Sequence, residues 1–83
     1  MTVVLYQDVI LTVDLPDHGL RAGDVGPLVE RHDVPGKEVG YSVEFFDMTG
    51  RTVAVATLPS SLLRVPTSSD RPTARQLVAA VGS

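Results

Sequence analysis

Short apolar runs, each closed by a turn signal, occupy residues 1–65 and restrict this part of the chain to a small all-β fold. Residues 8–15 alternate with a period of two, which places Val9 and every second residue after it on one face of a strand. Pro16 ends this strand, because proline has no N–H group to donate to a ladder. A long loop over residues 17–24 follows.

Turn chemistry divides the following residues into four more predicted strands. Pro35 and Gly36 predict a type II turn, and residues 47–50 predict a tight hairpin with glycine in the left-handed conformation. Gly26 and Pro27 predict a bulge or a sharp bend. Residues 59–62 suit a single 3₁₀ turn. The predicted strands are residues 25–32, 41–46, 52–58 and 63–65.

Five short strands with a long first loop, tight later hairpins and a 3₁₀ turn before the last strand are typical of an SH3-like barrel, which is the fold that we predict. Closure of the barrel would also protect the sheet edges of so short a chain. The five-stranded oligonucleotide-binding barrel is the alternative. It usually carries a helix between its third and fourth strands, and a tight turn joins those strands here.

Residues 66–83 differ from the predicted barrel in composition. Residues 66–72 form a polar linker, and residues 73–81 predict two turns of helix with Leu77, Val78 and Val81 at helical spacing. A helix this short is marginal in water. We therefore expect the segment to dock on the barrel, to fold on a partner or to stay disordered.

Composition excludes several classes of function. The 83 residues include no cysteine, which excludes disulfide scaffolds, zinc ribbons and thiol catalysis. The net charge is −3, and residues 1–65 carry nine acidic and five basic side chains, whereas a strong phosphate-backbone binder is basic. No apolar run is long enough to cross a bilayer, and the first residues lack the basic region of a signal peptide. We expect a cytoplasmic protein without a membrane partner.

Three motifs resemble those of a family of small bacterial proteins of unknown function. Residues 15–26 read LPDHGLRAGDVG, residues 41–47 read YSVEFFD and residues 58–64 read LPSSLLR. The family is marked by L-P-x-H-G-L-x-x-G-D-V-G, and the resemblance covers about residues 5–65. Pro27 stands where the family usually has a β-branched residue, directly after V-G. The resemblance implies an SH3-like fold and a gene that often lies beside one for a toxin-like or enzyme partner. It implies no catalytic residues.

Candidate catalytic and metal sites are weak in this chain. Asp14, Asp17, His18 and Asp24 lie close together in sequence, but their spacing matches no standard set of metal ligands. Aspartates and glycines in such a loop more often fix its turns. A serine, a histidine and an aspartate can be chosen from this chain, but the nucleophile elbow is missing. We expect neither an enzyme nor a bound cofactor or metal.

The leading hypothesis is a non-catalytic protein-binding module, in its concrete form an antitoxin or immunity-type neutraliser of a basic partner encoded nearby. Phe45 and Phe46 are adjacent, so they face opposite sides of a strand, and the exposed one would form an apolar patch with Val39 or Ile10. Acidic side chains would steer association, and apolar ones would anchor the partner. The steering residues are Asp14, Asp17, Asp24, Glu44 and Asp47, and the anchors are Phe46, Leu77, Val78 and Val81.

Two alternatives remain open from the sequence. A nucleic-acid-associated barrel of the ribosomal type would need a basic face collected from Arg21, Arg31, Arg51 and Arg64. The other alternative, an accessory subunit of an enzyme complex or a homo-oligomer closed by the C-terminal segment, would show stable self-association without any partner.

Overall fold

A computed structural model describes residues 3–76 of the chain. Within this range, the chain forms five strands and two 3₁₀ turns but no α-helix, and no described helix could therefore cross a membrane. The predicted all-β class and the 3₁₀ turn before the last strand are confirmed. The strands are β1 (Asp8–Leu11), β2 (Val25–His32), β3 (Gly40–Phe46), β4 (Thr52–Pro59) and β5 (Leu63–Arg64), and the 3₁₀ turns are Pro16–His18 and Ser60–Leu62.

The five strands form one antiparallel sheet in the order β4-β3-β2-β1-β5. Strand β1 pairs with β2 on one side, where Val9 lies opposite Gly26, and with β5 on the other, where Ile10 lies opposite Arg64. The sheet curls into a half-barrel of the predicted SH3-like type. Among the described residues, its edge strands are β4 and β5.

The concave side of the sheet holds the hydrophobic core. On β3 the alternation predicted from the sequence is confirmed, because Tyr41, Val43 and Phe45 are all buried. Burial of a large apolar side chain contributes about 1.5–3 kcal/mol, which supports a small chain that has no disulfide. The core consists of Val9, Leu11, Leu20, Leu28, Tyr41, Val43, Phe45, Ala56, Leu58 and Leu63.

Both predicted glycine turns are present. The N–H of Lys37 donates to the carbonyl of Val34 at 3.0 Å, and Gly36 between them has a φ of 80°. The N–H of Gly50 donates to the carbonyl of Asp47 at 3.1 Å, with a φ of 87° at the glycine. These turns set the spacing of β2, β3 and β4.

The first strand is shorter than predicted, since β1 ends at Leu11 rather than at Leu15. Beyond Leu11, the N–H and the hydroxyl of Thr12 both donate to the carbonyl of Leu62, at 2.9 and 2.8 Å, in register with the pairing of β1 and β5. Leu15 then forms an isolated bridge with Leu20 around the first 3₁₀ turn. The predicted inward alternation survives in part, because Val13 and Leu15 pack against the core.

The predicted irregularity at Gly26 and Pro27 is displaced. Strand β2 continues through both residues, and its register against β3 shifts between Leu28 and Glu30. Gly26 has a different role: a Cβ atom there would lie 2.1 Å from the carbonyl oxygen of Glu44. Only glycine therefore allows β2 and β3 to approach so closely at this point.

The polar linker folds back along β5. The guanidinium of Arg64 donates to both carboxylate oxygens of Asp70, at 2.9 and 2.6 Å, and the N–H of Thr67 donates to the same carboxylate at 2.7 Å. Residues 73–76, the described start of the predicted helix, have no helical structure. The remainder of that predicted helix lies outside the described residues.

Candidate functional site

A groove of about 660 Å³ opens between three parts of the chain. One wall is the β1–β2 loop over residues 19–25, and the opposite wall is the β3–β4 hairpin, which contributes Phe46, Met48 and Val53. Residues 71–75 form the third side. This groove is large enough to hold several side chains of a bound segment.

The hairpin wall of the groove is apolar and open to solvent. Phe45 is 2% exposed in the core and Phe46 is 42% exposed, so their predicted opposite orientation is confirmed. The predicted patch with Ile10 and Val39 is wrong, because Ile10 is buried and Val39 packs against the core. Met48, 91% exposed at the tip of the hairpin, lines the same groove as Phe46 instead.

Carboxylates fix the loop wall by accepting hydrogen bonds from the backbone. Asp14 accepts the N–H of Ala22 at 2.9 Å, and Asp24 accepts the N–H of Arg21 at 2.9 Å. The interpretation of these aspartates as residues that fix turns is therefore correct for Asp14 and Asp24. Asp24 also keeps a side facing the groove, which it lines.

A second carboxylate, that of Asp47, lies at the opposite wall. Its Oδ1 accepts the hydroxyl of Thr49 at 2.7 Å and the N–H groups of Thr49 and Arg51 at 2.8 and 3.0 Å. The hydroxyl of Thr49, followed by the N–H groups of Arg51 and Thr49, holds the pKa of Asp47 below its usual range. The groove therefore carries a fixed negative charge on its hairpin side at neutral pH.

The third side of the groove is held by an ion pair. Nη2 of Arg75 lies 2.6 Å from Oδ2 of Asp24 and 3.4 Å from the carbonyl oxygen of Gly19. Both side chains of the ion pair are partly buried, which reduces screening of the pair by solvent. The loop wall thus already binds a guanidinium group.

The structure brings together three of the residues predicted to contact a partner, namely Asp24, Phe46 and Asp47. Asp17 is exposed in the first 3₁₀ turn. Glu44 accepts the hydroxyl of Thr52 on the convex face of the sheet, and Asp14 is engaged with the loop backbone. The predicted anchors Leu77, Val78 and Val81 lie outside the described residues.

Among the groove residues that were not predicted from the sequence are Met48, Val53 and Arg75. Met48 carried a usable signal, because a large apolar residue in a turn is expected to be exposed. Val53 gave no such signal, since its apolar character equally suits a core position. Arg75 could not be predicted, because its partner Asp24 is distant in the chain and is reached only through the fold.

A polar chain crosses the convex face of the sheet. Nε2 of His32 lies 2.8 Å from the hydroxyl of Ser42, which lies 2.8 Å from that of Thr57. The carboxylate of Glu30 approaches the same Nε2 at 3.6 Å. In a catalytic triad the carboxylate holds the other ring nitrogen, so this geometry does not match one. The described residues also contain no group of three metal-ligating side chains.

The four arginines of the predicted basic face do not share one environment. Nε of Arg31 lies 3.0 Å from Oδ2 of Asp33, and this carboxylate raises the pKa of the guanidinium. Cζ of Arg31 lies 6.0 Å from the centroid of the Tyr41 ring. Arg64 is paired with Asp70. Arg21 and Arg51 form no ion pair within residues 3–76. Two of the four charges are thus neutralised locally, and the nucleic-acid hypothesis stays a prediction.

Comparison with known proteins identifies one family. A family model for a domain of unknown function matches residues 5–65, the span that the sequence resemblance predicted. No curated protein and no solved structure shows significant similarity to the chain. The matched span contains both the loop wall and the hairpin wall of the groove, and residues 71–75 lie beyond it.

Proposed function

The chain belongs to the DUF4926 family, and from that premise we propose that it is a non-catalytic protein-binding module whose groove holds an arginine-bearing segment of a partner. The observation that carries the proposal is the ion pair of Arg75 with Asp24, formed beside an open apolar wall. The chain's own segment thereby supplies the chemistry that the groove accepts.

The two walls would recognise different parts of such a segment. The carboxylate of Asp24 and the carbonyl of Gly19 would bind the guanidinium, as they bind Arg75. Phe46 and Met48 would bury an apolar side chain beside it, and aromatic and methionine side chains suit such anchoring contacts. A partner segment would replace residues 71–75 at the loop wall.

The net charge of −3 supports a basic partner. Asp14, Asp17, Glu44 and Asp47 would add to a negative field that increases the association rate with a positively charged protein. We expect this rate to fall clearly as the salt concentration rises. An association rate that is independent of salt would contradict the steering role.

In its concrete form, the proposal is an antitoxin or immunity-type neutraliser in the cytoplasm of a bacterium. This part rests on the resemblance of residues 15–26 to the family signature and on the toxin-like neighbour that the resemblance implies. The neutraliser would act by occupying a basic surface that the partner needs for its own activity.

Affinity capture from the native host with the full-length chain tests the proposal. The variant Phe46→Asp places a charge in the apolar wall, and Val34→Asp is the control, because Val34 is an exposed valine in the β2–β3 connection and does not line the groove. We expect one stoichiometric protein with the wild type and the control, and its loss with Phe46→Asp. Thermal unfolding checks that both variants are folded.

Other outcomes of the capture experiment decide between the hypotheses. Recovery of RNA in place of a protein would overturn the proposal in favour of the nucleic-acid barrel. A partner that is an enzyme subunit, bound with its activity intact, would favour the accessory-subunit alternative. Equal capture by Phe46→Asp and the control would place the partner on another surface.

A further inference from the structure

Strand β4 is an open sheet edge of unusual composition. Its eight residues, Thr52–Pro59, include no charged side chain, and Val53 and Val55 are exposed although they are apolar. Natural edge strands are normally short, charged, bulged or covered, because an open edge pairs with other chains. A long uncharged edge therefore indicates a surface that is used for pairing.

The start of the second 3₁₀ turn shows which residues of β4 exchange backbone hydrogen bonds with β3. The N–H of Ser60 donates to the carbonyl of Val39 at 2.9 Å. Bonded and non-bonded pairs alternate along an antiparallel ladder, and Ser42 pairs with Thr57 and Glu44 with Val55. These two pairs are therefore non-bonded.

The N–H and carbonyl groups of Val55 and Thr57 consequently point away from β3, toward the open edge. Within residues 3–76, no other backbone group bonds to them. Unpaired backbone groups on an uncharged strand form a template for strand addition. The register shift of β4 against β3 lies between Thr52 and Ala54, outside this pair of residues.

We propose that a second copy of this chain pairs antiparallel with β4 and joins the two sheets into one. The two-fold axis lies at Ala56, so that Val55 of each copy is opposite Thr57 of the other and both outward-facing pairs of backbone groups are bonded. The edge is self-complementary, because β4 carries no charge and the residue at the axis, Ala56, has a small side chain. Such a two-fold contact uses the same surface on both copies and is closed.

Charge complementarity at the ends of β4 favours this register. Arg51 directly precedes β4 and forms no ion pair within the described chain. Glu38 lies at the other end of the strand, where its carboxylate accepts the N–H of Ser61 at 3.0 Å and the hydroxyls of Ser60 and Ser61 at 3.1 and 3.2 Å. Continued just past both ends of β4, the proposed register brings Arg51 toward Ser61 of the second copy, beside that carboxylate. The dimer therefore gains two symmetric ion pairs.

Sedimentation of the full-length chain over a range of concentrations tests the pairing. We expect a species of twice the 8.8 kDa chain mass. Val55→Pro removes an outward N–H that the monomer does not use, so the variant should fold and sediment as a monomer. Val55→Thr keeps the N–H and should remain a dimer. A wild-type monomer at all concentrations, or a Val55→Pro dimer, would overturn the proposal.

A charge reversal tests the register without changing the strand. We expect Arg51→Glu to raise the dissociation constant of the dimer about tenfold, because each interface then places two carboxylates together at both ends. Arg21→Glu changes the net charge equally but lies in the β1–β2 loop, so it should leave the constant unchanged. Equal effects of the two variants, or no effect of Arg51→Glu, would overturn the register.

Discussion

The two edge strands of the sheet differ in length, charge and cover. Strand β4 has eight residues and no charge, and its outer face is open. Strand β5 has two residues and carries Arg64, which Asp70 and the following turn hold in place. Side-chain contacts thus protect the edge that is too short to be held by its ladder, while a long ladder and the hydroxyls of Thr52 and Thr57 hold the other.

The same difference extends to the two halves of the sheet. Long ladders between β2, β3 and β4 define one half. The half formed by β1 and β5 has shorter ladders, which bonds from Thr12 to Leu62 and from Gly23 to Leu11 extend. The first half should therefore resist local opening, and the second should open at a lower free-energy cost.

Gly26→Ala should have the largest effect on the difference between the halves, because Gly26 belongs to both. It pairs with Val9 of β1 and lies against the carbonyl of Glu44 on β3. The added Cβ forces the two strands apart, and we expect a loss of about 3 kcal/mol in the free energy of unfolding, measured in urea. Gly40→Ala is the matched control, since its Cβ would meet Leu58 at an ordinary 3.7 Å. Equal costs would contradict this account.

Thr12→Val should weaken only the half formed by β1 and β5. It removes the hydroxyl that donates to the carbonyl of Leu62 at 2.8 Å, and a single hydrogen bond contributes about 1 kcal/mol. Hydrogen exchange should then show faster exchange at Leu11 and Leu63, with Val43 unchanged. A uniform increase over all strands would show that the two halves open as one unit.

Asp47→Asn should weaken the turn that joins β3 to the open edge strand. The folded pKa of Asp47 lies below its ordinary value of about 4. Its contribution is therefore complete above that value and is lost as the pH falls through the folded pKa. We expect the variant to be less stable than the wild type at pH 7, with a smaller difference in acid. Asp17→Asn removes an exposed carboxylate outside the turn and should not reproduce this pH dependence.

Asp70→Asn should have the smallest effect on stability, and it tests how much the contact with Arg64 protects the β5 edge. The guanidinium of Arg64 lowers the pKa of Asp70, so this contribution is likewise present at neutral pH and lost in strong acid. The pair is exposed, and salt should screen most of it. We expect faster amide exchange at β5 in low salt, and no difference from the wild type in high salt. A difference that persists in high salt would show a packing role for Asp70.

Elements that depend on local chemistry were predictable from the sequence. The turns at Gly36 and Gly50 follow from residue types that favour positive φ, and the inward face of β3 follows from the alternation of Tyr41, Val43 and Phe45. The fold class followed because the number and spacing of such elements suit few small β folds.

Elements that depend on contacts between distant residues were not predictable. The pairing of β1 with β5 joins residues that lie far apart in the chain, such as Thr12 and Leu62. Alternation places Ile10 on the opposite face of β1 from Val9, yet both side chains are buried. The groove needed Arg75 to meet Asp24. Hydrophobic periodicity describes one strand at a time and contains no information on contacts between residues that are distant in the sequence.

The pairing of β1 with β5 also has a consequence for the order of folding. Leu11 and Leu63 come from opposite ends of the span that matches the family, whereas β2, β3 and β4 are joined by short connections. Closing a long loop costs more chain entropy than closing a short one, and this cost precedes any gain from the contact. We therefore expect the three-stranded meander of β2, β3 and β4 to form early and the pairing of β1 with β5 to form last during refolding.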